Sequence, residues 1–256
     1  MTNERRVLVH PDVDALTAAV AARFLTKLVD LMDEFDTVNV ALTGGTVGAG
    51  TQRAVATSGM RTTIDWSRVH FWWGDERFVP KHDPERNEVQ AREALLDHIG
   101  VPEANIHPFP ASDEIEDIER AAAAYAEVLQ QHAPEGSTMP RFDITFLGVG
   151  PDGHIASLFP ERPGANTTST TVIPVRNAPK PPPDRLSLTL PAINTSHRVW
   201  MVAAGAEKAT ALGLALAGAS EDEVPVAGVQ GRKRTVFFVD EAAAKNVPQN
   251  LIAQSY

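Results

Sequence analysis

The sequence predicts an α/β fold: a Rossmann-like, mostly parallel sheet with helices on both faces. Three observations lead there. Strand-like apolar segments take turns with segments whose apolar residues recur every three or four positions. One strand-like segment, RVHFWW at 68–73, is mostly apolar, as expected of a strand covered by helices on both faces. Several strand-like segments run straight into glycine-rich or charged loops, where open parallel sheets carry their ligand sites. No shift in composition divides the 256 residues, so one domain over 1–256 is expected.

In chain order, residues 5–10 form a short first strand. Pro11 and Asp12 then start a helix whose stripe is Val13, Leu16, Val20, Phe24, Leu28 and Leu31. Val38, Val40 and Leu42 alternate as the next strand, which ends in Thr43-Gly44-Gly45-Thr46, and residues from about 47 to 56 read as helix despite Gly48 and Gly50. The third strand, 68–73, empties into a charged loop, GDERFVP, that continues to Asn87. A helix follows with Val89, Leu95, Leu96 and Ile99 inward and Gly100 placed to stop it. Residues 113–132 read as another helix, striped by Ile115, Ile118, Ala122, Tyr125 and Leu129.

Residues 140–160, PRFDITFLGVGPDGHIASLFP, form the most informative stretch. Phe142, Ile144 and Phe146 alternate as a strand; Gly148, Gly150, Pro151 and Gly153 break it; residues 155–159 look like one or two helical turns. Beyond it, 167–175 reads as a strand and 179–183 as an extended proline-rich connector. Leu186, Leu188 and Leu190 alternate as a strand, and 198–204 reads as another. A helix over 205–216 carries Lys208 in its first turn, 236–239 closes the sheet, and Asp240 begins a final short helix.

Composition narrows the function. Hydrophobic residues are 43% and charged residues 22%, ordinary values for a globular chain with a full core. With no Cys there is no disulfide, thiolate metal site or cysteine nucleophile, and the eight His form no metal-ligand spacing. No cofactor or metal is expected. Net charge is −10, which argues against a general nucleic-acid surface but leaves room for a small anion held by local cations. The two arginines near the start precede an apolar run of only three residues, and no segment has the length of a membrane span. A soluble, cytoplasmic protein without membrane partners is expected, as a monomer or small homo-oligomer.

If the three loop-bearing strands are neighbours, the loops 43–46, 74–80 and 148–154 meet in one crevice. Thr43, Gly44, Gly45 and Thr46 offer backbone N–H groups and two hydroxyls before a helix, suited to an anion or a carbonyl oxygen; they fit a plain turn equally well. Arg77 can fork onto a phosphate while Asp75 and Glu76 bind hydroxyls or hold Arg77, or the three can be a solvated charge run. Lys208 near a helix start opposes the helix dipole, so it reaches solvent or meets an anion. Arg185, just before a leucine-alternating strand, is as ambiguous. His154 is the best candidate for acid–base work, because neutral imidazole is available near pH 7 and Asp152 lies two residues away.

These residues carry a resemblance. GVGPDGHIASLFP, WWGDERFVP and Asn87, with TGGT at 43–46, RLSLTLPAIN, AGAEKA and FFVDEAAA, together resemble the 6-phosphogluconolactonase family over nearly the whole chain and in the right order. The chain departs from that pattern at Val47-Gly48, where proline is frequent, and at Arg86, where serine is common. The resemblance implies a fold shared with sugar-phosphate isomerases and glucosamine-6-phosphate deaminases. It also implies metal-free hydrolysis of a phosphosugar lactone, 6-phospho-D-glucono-1,5-lactone, in the oxidative pentose phosphate pathway. It implies His154 as the general base, with Asp152 either orienting it or binding a sugar hydroxyl. Backbone N–H groups of Gly44 and Gly45 would meet the oxyanion; Arg77, Lys208 and Arg185 would hold phosphate. Thr43, Thr46, Asp75, Asn87, Gly150 and Gly153 complete the implied substrate site. A deaminase would show Asn-Glu-Pro after the histidine, where this chain has Ser157-Leu158-Phe159-Pro160. A sugar-phosphate sensor of the same fold would be expected to carry a DNA-binding module, for which 1–6 and 240–256 are too short.

Overall fold

The computed structural model describes residues 4–253. Six strands form a wholly parallel sheet: β1 (Glu4–His10), β2 (Val38–Leu42), β3 (Val69–Trp73), β5 (Ile144–Gly148), β8 (Arg198–Ala203) and β9 (Arg234–Asp240), in the order β1-β9-β8-β5-β2-β3. A second sheet is antiparallel: β4 (Asp75–Arg77), β7 (Arg185–Leu188) and β6 (Val172–Val175), in the order β4-β7-β6. The helices are α1 (Val13–Glu34), α2 (Gly45–Thr57), α3 (Asn87–Ala94), α4 (Ile118–Gln131), α5 (Leu190–Asn194) and α6 (Ala209–Leu216). The expected α/β class and mostly parallel sheet are observed.

Local chemistry explains most boundaries. Asp12 accepts the N–H of Ala15 at 2.8 Å, which caps α1. The helix then buries Leu16, Val20, Phe24, Leu28 and Leu31, while Val13, on the same stripe, stays exposed at its start. Phe24 meets Phe146 of β5 edge to face at 5.3 Å. Burying one such side chain contributes roughly 1.5–3 kcal/mol, so this stripe alone fixes α1 to the sheet. In β3, Phe71, Trp72 and Trp73 are all buried, as a strand covered on both faces requires. Gly100, with φ +67, ends the segment after α3.

Six elements differ from the sequence reading. The charged 74–80 segment contains β4, because its backbone pairs with β7 some 110 residues later (Asp75 opposite Ser187, for instance). Leu190 is the first residue of α5 rather than the end of a strand, because Thr189 caps the helix and Pro191 favours a helix start. Helix α4 begins at Ile118, capped by Asp117, whereas Asp113 instead accepts the N–H of Lys81. Strand β6 starts at Val172, five residues later than expected. Residues 155–159 are not helical: Ile155 and Leu158 form an isolated bridge around Ala156, whose φ is +47. Strand β9 lies inside the sheet, between β1 and β8, so β1 and β3 are the edges.

This topology places the site. After β2 the chain adds β3 on one side, and β5 later joins β2 on the other, so the strand order reverses between β5 and β2. The carboxyl ends of β5, β2 and β3 therefore stand side by side at a switch point, the usual ligand crevice of such sheets. Gly74 joins the two sheets: its N–H donates to Leu42 O at 3.2 Å, and its carbonyl accepts from Leu188 N at 2.9 Å.

Candidate active site

A cleft of about 180 Å³ opens at this switch point, lined by all three loops. Thr43, Gly44 and Gly45 come from the end of β2, and Gly148, Val149, Gly150, His154 and Ala156 from the end of β5. Asp75, Arg77, Asn87, Arg185, Lys208 and Lys180 complete it. Thr43 ties the first two loops together, accepting the N–H of Gly148 on its Oγ1 at 3.2 Å. Buried Gln52 fixes Thr43 in turn by donating to its carbonyl at 3.0 Å. The Val47-Gly48 departure has a local reason: a Cβ at Gly48 would lie 2.7 Å from the Thr43 carbonyl oxygen.

His154 and Asp152 are in direct contact. Nδ1 of His154 lies 2.5 Å from Oδ1 of Asp152, which also accepts the His154 backbone N–H at 3.3 Å. Partial burial raises the Asp152 pKa, but the hydrogen bond and charge of His154 outweigh it, and the carboxyl is held down at about 2. An ionised carboxylate only accepts, so Nδ1 is the donor in this contact, and Nε2 is the ring nitrogen left to face the cleft chemistry. The ring also packs against Phe159, 4.7 Å between centroids.

The first turn of α2 supplies N–H groups with no intrahelical partner, and Gly44 and Gly45 stand at that end. Gly45 has φ +81, the left-handed region that glycine adopts freely. Gly44 touches the third loop: a Cβ there would sit 1.9 Å from Oδ1 of Asn87. Asn87 donates its Nδ2 to the carbonyl of Asp75 at 2.8 Å, and its buried Oδ1 has no partner among the described residues. Asp75 accepts from Ser157 Oγ at 2.6 Å.

Cations gather on the opposite wall. In the β4–β7 register Arg77 stands directly across from Arg185. Like charges at opposed positions of a strand pair repel, so this pair is suited to an anion. Arg77 donates Nη1 to the carbonyl of Glu85 at 2.5 Å. Arg185 donates Nε to the carbonyl of Pro182 and Nη2 to those of Lys180 and Pro181, at 3.0–3.1 Å, so it shapes the proline-rich connector as well as lining the cleft. Burial lowers the pKa of Arg185, and likewise that of Lys208, which immediately precedes α6.

The structure therefore brings together Thr43, Gly44, Gly45, Asp75, Arg77, Asn87, Gly150, His154, Arg185 and Lys208, with Asp152 behind the imidazole. Two candidates stand elsewhere. Thr46 lines an adjoining cleft of about 680 Å³ with Arg53 and Arg77. Gly153, at φ +83, packs against Val224, so its part is to turn the loop. Sequence reasoning missed Lys180, Ser157 and the role of Glu76. Lys180 sits in a proline-rich connector that reads as a spacer; its one signal is the nearby Arg185. Glu76 accepts the backbone N–H groups of Arg77, Asn87 and Glu88, rather than gripping the Arg77 side chain.

Comparison with known proteins gives a consistent picture. A family model described as glucosamine-6-phosphate isomerases/6-phosphogluconolactonase matches residues 11–238. A Streptomyces coelicolor protein named 6-phosphogluconolactonase is 49% identical over 255 residues, 98% of each chain. The crystal structure of 6-phosphogluconolactonase from Thermotoga maritima superposes with a TM-score of 0.80 at 28% identity, covering 93% of this chain and all of that one. The 6-phosphogluconolactonase structure from Trypanosoma brucei gives 0.82 at 26% identity, covering 96% and 100%.

Proposed function

The chain belongs to the glucosamine-6-phosphate isomerase/6-phosphogluconolactonase family, and on that premise we propose that it hydrolyses 6-phospho-D-glucono-1,5-lactone to 6-phospho-D-gluconate. The observation that carries the reading is the Asp152–His154 pair, facing a cleft with helix N–H groups on one side and cations on the other.

The chemistry follows from the groups present. Nε2 of His154 takes a proton from water as the water oxygen attacks the lactone carbonyl carbon. Asp152 holds the ring with its proton on Nδ1 and stabilises the imidazolium that forms, as a carboxylate behind a histidine does. Negative charge develops on the carbonyl oxygen, where the N–H groups of Gly44 and Gly45 meet it. The bond from this carbon to the ring oxygen then breaks, and the imidazolium returns its proton to the departing oxygen. No covalent enzyme intermediate is needed, because a lactone is already an activated ester. Arg77, Arg185, Lys208 and Lys180 hold the phosphate, and Asp75 and Asn87 are placed to bind sugar hydroxyls. Binding energy from the remote phosphate then positions the reacting carbon. Such a substrate comes from the oxidative pentose phosphate pathway, and no cofactor enters the scheme.

The test is acid release from freshly prepared 6-phosphogluconolactone, comparing the protein and His154→Ala with the spontaneous rate. The expected result is fast hydrolysis that falls by about 10²–10⁴-fold in the variant. Equal rates for both proteins would remove His154 from the mechanism. A wild-type rate no higher than background would overturn the activity itself.

A further inference from the structure

Glu76 is a buried carboxylate next to the cleft that the proposed chemistry does not use. It is 1% exposed. Its Oε1 accepts the backbone N–H of Arg77 at 2.8 Å and that of Asn87 at 2.6 Å, and its Oε2 accepts the N–H of Glu88 at 2.9 Å. The residue preceding α3, Arg86, makes no side-chain cap, so the free N–H groups at the start of this helix are met from eleven and twelve residues away. Arg86 is itself 1% exposed. Its Nη2 lies 3.9 Å from Glu76 and 3.1 Å from Glu88, and donates to the carbonyl of Phe109 at 2.7 Å.

We propose that Glu76, with Arg86 as its buried counter-charge, is a positioning residue for the reaction: its carboxylate clamps the start of α3 to β4 and sets where Arg77, Asn87 and Asp75 stand in the cleft. The proposal rests on the lactonase reading above. The linkage is short at every step. Asn87, held by its backbone, donates to the Asp75 carbonyl and lies against Gly44; Arg77, held by its backbone, faces Arg185. A shift of one carboxylate therefore reaches both the oxyanion loop and the phosphate wall.

The clamp is sensitive to protonation. Burial pushes Glu76 up to about 7, against the opposing pull of Arg86 and the three N–H groups. The other groups facing it are Tyr125 on α4 and Arg185 on β7. Protonation turns one acceptor oxygen into a donor and removes the negative charge, so the neutral carboxyl holds the three N–H groups more weakly than the carboxylate does.

The experiment follows the backbone amide shifts of Arg77, Asn87 and Glu88 by NMR from pH 5 to 8.5, with kcat and KM for the lactone, in wild type, Glu76→Gln and Arg86→Ser. The three amides are expected to titrate together near neutrality in wild type, at a higher pH in Arg86→Ser, and not at all in Glu76→Gln. Glu76→Gln is expected to lower kcat by about tenfold with folding retained. Wild-type kcat and KM in Glu76→Gln would overturn the proposal. So would a loss of activity that only tracks a loss of folded protein. A wild type without lactonase activity would count against the functional reading instead, and the amide titration would still decide whether Glu76 clamps α3.

Discussion

A Cβ placed on Gly150 would lie 2.0 Å from Nδ1 of His154 and 2.5 Å from Oδ1 of Asp152, so the imidazole lies directly over a residue that must have no side chain. Gly150→Ala is expected to push the ring off Asp152. A displacement near 1 Å costs about 100-fold in rate. Lactone hydrolysis by the variant should fall by that order while its thermal melt stays cooperative; an unchanged kcat would show that the Asp152–His154 geometry is not needed.

Asp152→Asn keeps the shape but removes the acceptor-only partner that fixes the proton on Nδ1. The expected result is a fall in kcat with little change in KM, because in the proposed mechanism the carboxylate acts on the base and not on the bound phosphate. A rise in KM alone would instead assign Asp152 to a sugar hydroxyl.

Gly44 and Asn87 form a second tight contact, and a double-mutant cycle reads it. Gly44→Ala alone is expected to destabilise by about 1–3 kcal/mol through overpacking. In an Asn87→Ala background most of that cost should vanish, as measured by denaturant melts. Additive costs would mean that the two loops do not meet as described.

Lys180 lines the cleft beside Arg185 and Lys208. A charge-assisted hydrogen bond to phosphate contributes about 1.5–3 kcal/mol, so Lys180→Ala should raise KM by about tenfold or more with kcat nearly unchanged. The same variant with an unphosphorylated lactone should show no effect, and an equal effect there would exclude a phosphate contact.

Away from the cleft, His107 stacks on Trp72 at 3.9 Å, and its Nε2 lies 2.9 Å from Nδ1 of His70. Burial first, then the neighbouring His132 and His70, hold its pKa down at about 3, against 6.5 for a free histidine. Between those values the unfolded chain binds a proton that the folded one does not, so stability falls as pH drops from 6.5 toward 3. His107→Gln should flatten that slope by up to about 1.4 kcal/mol per pH unit in denaturant melts. An unchanged slope would place the acid sensitivity elsewhere.

The sequence by itself determined the α/β class, the parallel strands and the three loops, because each is written in neighbouring residues. The period of Leu16 to Leu31, the apolar run at 69–73 and the glycines at 148–153 need no distant partner to be read. His154 and Asp152 were legible as well, since they share one glycine loop and their contact spans only two residues. What depended on contact across the chain was not legible. Strand β4 looks like a solvated charge run, since its three residues become a strand only by pairing with β7. Lys180 reads as a spacer until Arg185 gathers the carbonyls of 180–182 around it. Glu76 looks like one acid among several until the fold buries it against the start of α3. Backbone periodicity is a local property; partners for buried polar groups are found only when distant segments meet, and tertiary structure alone decided those contacts.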